Sequence, residues 1–234
     1  MNKHSKKFFD FINELHEKNL PYVIFRGFGK LPKMPDKDID MLGSLESYDD
    51  ILKSASKYLV KNNKICGDTN YGFAEWCDML LNPYFTSLER ESWLPDGDKG
   101  LGYFRIDLQN SLYFKSPYND FKTFWTVSKK FNDYVLENRI KQNTDITYYI
   151  PSVECEITLL VLRDTLDKNR KWKDKHISRI NELLELSDKS ELIRCIEMVL
   201  PESNNIVEYL FDGKFNLINK IIDGEYGNRH EKTL

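Results

Sequence analysis

The stretch "GFGKLPKMPDKDIDML", residues 27–42, places Asp36, Asp38 and Asp40 at alternate positions before an apolar ending. If residues 36–42 are extended, the three carboxylates point to one side, because side chains of a strand alternate between its two faces. Crowded carboxylates repel each other. Water, a neighbouring lysine or a divalent metal ion must therefore offset their charge.

The segments on either side of this stretch predict a compact α/β arrangement. "LPYVIFRG", residues 20–27, is an apolar run rich in β-branched and aromatic residues, which is typical of a buried strand closed by Gly27. Apolar residues at helical spacing predict a helix over residues 5–18 and another after Ser47, which we take as its N-cap. The predicted order is helix, strand, loop, strand, helix.

A third acid lies in a later strand. "LGYFRIDLQNSLYF", residues 101–114, alternates polar and apolar side chains and places Asp107 between Ile106 and Leu108. If this strand neighbours the one carrying Asp38 and Asp40, the three carboxylates converge. Hard oxygen ligands suit Mg²⁺ or Mn²⁺, and Mg²⁺ completes its coordination shell with water and phosphate oxygens. Asp36 is interpreted as a loop acid outside this group.

Positive charge surrounds the loop between the first two strands. Gly27 allows close approach of a ligand to the backbone, and exposed N–H groups in such a turn can bind phosphate oxygens. Arg26 and Lys37 flank the loop. Arg105 shares a predicted face with Asp107, where it contacts phosphate or pairs with a carboxylate.

These residues resemble the DNA polymerase beta-type nucleotidyltransferase superfamily. The shared pattern is a glycine after a hydrophobic strand, a spacer, Asp-hydrophobic-Asp-hydrophobic, and a third acid between hydrophobics on a later strand. Here it reads Arg26-Gly27-Phe28, nine residues, Asp38-Ile39-Asp40-Met41, and later Ile106-Asp107-Leu108. Phe28 departs from the serine or second glycine usual in the superfamily. The chain looks like uncharacterised bacterial members, some similar to proteins of surface-polysaccharide gene clusters.

The resemblance implies an α+β fold, in which a nucleotidyltransferase-like short mixed sheet flanked by helices is followed by a C-terminal helical domain. We expect the α/β domain in residues 1–115 and a mainly helical domain, completing the substrate cleft, in residues 116–234, where successive amphipathic stretches follow one another. The stretch "NTDITYYIPS", residues 143–152, is a candidate boundary.

The resemblance also implies a chemistry. Asp38, Asp40 and Asp107 would bind two Mg²⁺ or Mn²⁺ ions, with Asp107 as a possible base for the acceptor hydroxyl. The ions would bridge the attacking and leaving oxygens of an in-line displacement on a nucleoside triphosphate (NTP), ATP among the candidates. The nucleotide-binding residues implied are Arg26, Gly27, Phe28, Lys37 and Arg105.

Composition argues against several other classes. The chain has 234 residues, 41% of them hydrophobic, and a net charge of −3 with acids and bases well mixed, so no basic excess favours nucleic acid. No apolar run suits a signal peptide or a membrane-spanning helix. The four cysteines form no CxxC pair, which argues against a zinc site and predicts reduced thiols in a cytoplasmic protein.

Three alternatives to nucleotidyl transfer onto a small molecule, glycan or protein use the same fold. One is a phosphotransferase in glycan decoration, resembling the LicD-like choline phosphate transferases. Another is a toxin-type nucleotidyltransferase acting on tRNA or protein. The third is a non-catalytic nucleotide-binding module, for which Phe28 is the argument.

Overall fold

A computed structural model of the chain describes residues 3–32, 38–61, 90–94, 105–115, 124–168, 170–200 and 205–223. Within them lie eight α-helices and nine strands. The helices are α1 (Lys3–Glu17), α2 (Tyr48–Tyr58), α3 (Lys129–Glu137), α4 (Val153–Leu162), α5 (Asp174–Leu184), α6 (Lys189–Val199), α7 (Ile206–Phe211) and α8 (Phe215–Ile222). The strands are β1 (Tyr22–Arg26), β2 (Asp38–Gly43), β3 (Val60–Lys61), β4 (Arg90–Leu94), β5 (Arg105–Gln109), β6 (Tyr113–Lys115), β7 (Phe124–Thr126), β8 (Ile140–Asn143) and β9 (Thr147–Ile150).

Five strands form one mixed sheet in the order β1-β2-β5-β4-β3. Only the pairing of β2 with β5 is parallel among the pairs described, and β1–β2, β5–β4 and β4–β3 are antiparallel. The predicted α+β class and the short mixed sheet are therefore confirmed. Pairs β6–β7 and β8–β9 form two separate two-stranded ribbons.

The predicted apolar stripe of α1 forms part of the main core. Phe8, Phe11, Ile12 and Leu15 are all fully buried, as their helical spacing requires. They join one hydrophobic cluster with α2 and one face of the sheet, to which the strands contribute Tyr22, Ile24, Ile39, Met41, Ile106 and Leu108. The other face of β2 and β5 carries Asp40 and Asp107.

Helix α2 begins where the sequence indicates, but its cap differs from the prediction. Ser47 is the N-cap residue, yet its side chain makes no capping hydrogen bond. Instead the hydroxyl of Ser44 accepts from the backbone N–H of Ser47 and caps a short 3-10 turn (Leu45–Ser47) ahead of the helix. A Cβ on Gly43 would lie 2.5 Å from Ile51 Cδ1, so the buried side chain of Ile51 would have to shift to admit it.

The chain divides into two compact units by its internal contacts. The first comprises Met1–Leu112 and Asn132–Pro151, and the second comprises Tyr113–Phe131 and Ser152–Leu234. The division differs from a single boundary near residue 116, because the segment Asn132–Pro151 belongs to the sheet unit. The last change of unit falls after Pro151, inside the stretch 143–152. It stays a prediction that the domains span residues 1–115 and 116–234, and that the second domain completes the substrate cleft.

Besides helices, the described residues after residue 116 contain strand β7, which pairs with β6, and the hairpin β8–β9. In the hairpin, Tyr149 stacks on His16 of α1, with ring centroids 5.1 Å apart, and the guanidinium of Arg139 lies 4.6 Å from the same ring. Burial, together with the positive charges of Lys141 and Arg139, lowers the pKa of His16. The hairpin thus packs against the first helix through an aromatic cluster.

The second unit contains the helices α4 to α8. A five-residue π-helical segment (Arg163–Asp167) extends α4 directly. A bidentate ion pair joins α4 to α5. Arg179 Nε donates to Glu156 Oε1 at 2.8 Å, and Arg179 Nη2 donates to Glu156 Oε2 at 3.0 Å. Among the described residues, no helix is long and apolar enough to cross a membrane.

Candidate functional site

Two buried aspartates lie side by side on the central strands of the sheet. The parallel register of β2 and β5 makes Asp40 and Asp107 direct Cα partners, and the two residues are only 4% and 1% exposed. Adjacent strands lie about 4.8 Å apart, so carboxylates at paired positions on one face are neighbours. The two strands are therefore neighbours, which is the condition under which the sequence brings these carboxylates together.

The flanking residues show why these aspartates face away from the main core. Ile39 and Met41 on β2, and Ile106 and Leu108 on β5, enter the hydrophobic cluster. Strand alternation then places the residues between them on the opposite face. A hydrogen bond from the hydroxyl of Tyr48 to the carbonyl of Leu108, 2.8 Å long and buried, links the start of α2 to the strand of Asp107.

An irregularity in the pairing of β1 with β2 brings an arginine to Asp40. The register runs Val23↔Leu42 and Ile24↔Met41, and a regular ladder would continue with Phe25 opposite Asp40. The register instead shifts between Ile24 and Arg26, so that Arg26 is the partner of Asp40. The guanidinium Nε of Arg26 makes an ion pair with Asp40 Oδ2. Such bulges re-aim side chains and are frequent beside active sites.

The residues after β1 form a turn that leaves the strand abruptly. Gly27 has a φ of 82°, in the left-handed region where a side chain is costly. The carbonyl of Phe28 accepts from the N–H of Leu31 at 3.0 Å, and the Phe28 ring packs against the main cluster while remaining partly exposed. The carbonyl of Leu31 in turn accepts from the hydroxyl of Tyr148 at 3.3 Å. Phe28 therefore anchors the turn to the apolar core.

Three of the predicted site residues are described incompletely or not at all. The backbone of Asp38 pairs in register with that of Arg105, two residues before Asp40 and Asp107. The side chains of Asp38 and Arg105, and the whole of Lys37, lie outside the described residues. Within the described part of the chain, no group of three or more His, Cys, Asp or Glu side chains converges on a metal-sized space.

A different buried carboxylate in the same unit, that of Glu14, is surrounded by several hydrogen-bond donors. Glu14 of α1 lies 2.6 Å from Lys18 Nζ and 2.5 Å from Lys57 Nζ, and it accepts from the Ser54 hydroxyl at 3.1 Å. Burial raises the pKa of this carboxyl, but the hydrogen bonds from both lysines, Tyr58 and Ser54 outweigh it and lower the pKa to about 2. Ser54, Lys57 and Tyr58 lie on α2 and so join it to α1, which explains Glu14 by packing.

The second unit holds a buried Asp–His pair that also has a structural explanation. Asp164 is fully buried, and one of its carboxylate oxygens lies 2.7 Å from His176 Nδ1. The other accepts from the backbone N–H of Lys173 at the start of α5. Asp164 therefore organises the N-terminal turn of that helix, and His176 is packed within it. Cys155 and Cys195 are free and buried.

The ion pair of Arg26 with Asp40 is the feature that the sequence does not reveal. Arg26 is visible as a positive charge beside a glycine, but its partner depends on the extra residue in β1. The signal that points to it is indirect: a glycine requiring a positive φ directly after a strand is a common neighbour of a bulge.

Comparison with known proteins adds little at the level of sequence. No protein-family model matches this chain, and no curated protein matches it. Among solved structures, the chain is similar to an antigenic nucleotidyltransferase-like protein from Paracoccidioides brasiliensis, with a TM-score of 0.43 and 13% identity over 94% of this chain and 89% of the other. A likeness this distant assigns no function to the chain.

Proposed function

We propose that this chain is a metal-dependent nucleotidyltransferase, which moves a nucleoside monophosphate from an NTP to a hydroxyl or phosphate group of a small-molecule, glycan or protein acceptor. The observation that carries the proposal is the register of β2 and β5, which pairs two buried aspartates directly. Neighbouring buried carboxylates are costly unless a cation neutralises them. A dedicated pair of this kind suits a cation-binding site.

The donors present fit divalent metal ions. The carboxylates of Asp40 and Asp107 are hard oxygen ligands of the type that Mg²⁺ and Mn²⁺ prefer. The guanidinium of Arg26 already lies against Asp40, which supports the idea that this face accommodates positive charge. Asp38, two residues before Asp40 on the same strand, would supply a third carboxylate by strand alternation.

Each residue would have a distinct task in the transfer. Asp38, Asp40 and Asp107 would hold the cations, which supply electrostatic stabilisation of the phosphate oxygens during displacement. Asp107 would accept the proton of the acceptor hydroxyl. The hydroxyl oxygen would then attack the α-phosphorus, and pyrophosphate would leave. The tight turn at Gly27 would let the triphosphate approach backbone N–H groups. Arg26, Lys37 and Arg105 would balance phosphate charge.

Calorimetry with each NTP, with and without Mg²⁺, tests the proposal directly. We expect triphosphate binding to require the metal and to be lost in Asp40→Asn, which keeps the shape of the side chain but removes its charge. Incubation with labelled NTPs and candidate acceptors, followed by mass spectrometry, then detects a nucleotidyl adduct. Glu156→Gln, in the second unit, is the matched control because it also removes a carboxylate paired with an arginine.

Two outcomes would count against the proposal. Metal-independent triphosphate binding that survives Asp40→Asn would remove the metal site from the mechanism. Metal-dependent binding without any adduct across the acceptor panel, and without NTP consumption, would favour the non-catalytic nucleotide-binding module.

A further inference from the structure

The bulge in β1 gives Arg26 a position that a regular strand would deny it. Without the register shift, Phe25 would stand opposite Asp40, and an aromatic ring would face the carboxylate. With the shift, a cation occupies that place. A bulge interrupts ladder hydrogen bonds, so its presence beside a buried carboxylate is explained most directly by the charge that it delivers.

The burial of the two partners is unequal. The side chain of Asp40 is 5% exposed, whereas that of Arg26 is 33% exposed. Asp40 is held by β2, an interior strand of the sheet, but the arginine is long and reaches solvent along part of its length. An arginine can therefore leave the pair by rotation of its own side chain, while the carboxylate stays where the sheet holds it.

A divalent cation and this guanidinium would compete for the same carboxylate. A metal ion held between Asp40 and its neighbour Asp107 would lie within a few ångströms of a group paired with Asp40 Oδ2. Like charges at such a separation repel strongly in a site shielded from water. Binding of the metal therefore favours movement of the guanidinium away from Asp40.

We propose that Arg26 is an internal cation that occupies Asp40 in the metal-free protein, is displaced by the divalent metal, and then pairs with phosphate oxygens of the incoming triphosphate. The inference rests on the proposed function, because it uses the same metal site. Arg26 would thus have two partners in turn: Asp40 before the metal binds, and the triphosphate afterwards. Arg26 weakens binding of metal alone and strengthens binding of metal together with triphosphate.

The test compares Mn²⁺ affinity, read by electron paramagnetic resonance without nucleotide, in the natural protein and in Arg26→Gln. Removal of the competing charge should tighten Mn²⁺ binding about tenfold, equivalent to about 1.4 kcal/mol. The same variant should bind the Mg²⁺–triphosphate complex about tenfold more weakly, since a charged hydrogen bond to phosphate is lost. Arg179→Gln, which breaks the arginine pair with Glu156, should change neither affinity.

A measurement on the natural protein covers the case in which Arg26→Gln fails to fold. In a ¹H–¹⁵N spectrum, the Arg26 Nε–H signal, assigned with Arg26→Lys, should shift saturably with Mg²⁺ in the absence of nucleotide. The displacement idea is wrong if Mn²⁺ binds but the Arg26 signal does not change in the Mg²⁺ titration. It is also wrong if Arg26→Gln binds Mn²⁺ no more tightly than the natural protein. In both cases the proposed metal site itself stands. If neither protein binds the metal, even with triphosphate, the proposed function itself fails.

Discussion

Two buried carboxylates of the sheet unit, Glu14 and Asp40, differ in the charged and hydrogen-bonding groups around them. Glu14 lies between two lysines and a serine hydroxyl, and their hydrogen bonds hold its pKa near 2. Asp40 contacts an arginine delivered by a bulge and stands beside a second buried carboxylate. Glu14, with donors close by, is explained by packing, whereas the paired carboxylates of β2 and β5 are the ones that the proposed cation site would use.

The largest expected effect separates the two carboxylates by activity. Asp40→Asn should lower nucleotidyl transfer by about a hundredfold or more, in the range found when one preorganised electrostatic group is removed from an active site. Glu14→Gln should leave the rate within about twofold, since Glu14 only joins α1 to α2. Initial rates of NTP consumption measure both. Equal losses of rate in the two variants would break the comparison.

The second prediction reverses the order when stability is measured. Glu14→Gln should lower the free energy of unfolding by about 1–3 kcal/mol, since charged hydrogen bonds from Lys18 and Lys57 are lost. The partial exposure of both lysines lets them hydrate, which keeps the cost below that of a fully buried pair. Asp40→Asn should unfold at nearly the same urea concentration as the natural protein. It loses the ion pair with Arg26, but it also relieves the repulsion between Asp40 and Asp107, and the two effects offset each other. Urea titrations at neutral pH measure the difference, and a larger loss in Asp40→Asn would contradict the assignment.

Acid titration sharpens the same contrast. The folded-state pKa of Glu14 is lowered from 4.5 to about 2, so its contribution to stability is fully present above pH 4.5 and is lost as the pH falls toward 2. Glu14→Gln should lack this component, and its unfolding free energy should fall less steeply between pH 5 and pH 3. Urea unfolding at several pH values in this interval gives the slopes. Parallel slopes for the two proteins would show that Glu14 is not the responsible group.

The smallest expected effect concerns the backbone beside Asp40. Gly27→Ala should cost about 1–2 kcal/mol of stability, because φ at this position is 82° and a Cβ is unfavourable there. Gly29→Ala is the matched control, since a Cβ added at Gly29 would meet no atom within 4 Å and its φ is ordinary. Thermal unfolding of both variants measures the difference. An equal shift in both would mean that the turn adapts and that Gly27 is not required for the bulge.

Much of the fold could be predicted because it depends on local periodicity. The spacing of Phe8, Phe11, Ile12 and Leu15 predicted α1, and all four are buried. The helix ends at Glu17, and Asn19, two residues beyond it, adopts a left-handed conformation with φ 54°. The hairpin β8–β9 was missed because β8 is mostly exposed and polar, so its sequence has no alternation to detect.

The candidate site shows the limit of the same reasoning. Strand alternation is enough to predict that Asp40 and Asp107 face away from the apolar residues beside them. The side chains of Asp38 and Arg105 and the segment with Lys37 lie outside the described residues, and the metal ions, the NTP and the acceptor stay predictions. Phe28, which breaks the superfamily pattern, has a packing role against the core that the pattern alone could not indicate.

The sequence by itself determined the helices with strong apolar stripes, the two central strands, and the glycine at the end of β1. Only the tertiary structure decided that Asp40 pairs with Asp107, that the segment Asn132–Pro151 returns to the sheet unit, and that Arg26 rather than Phe25 stands opposite Asp40. The physical reason is that periodicity is local, whereas strand pairing joins distant segments. A shift of one residue in that pairing exchanges every side chain between the two faces.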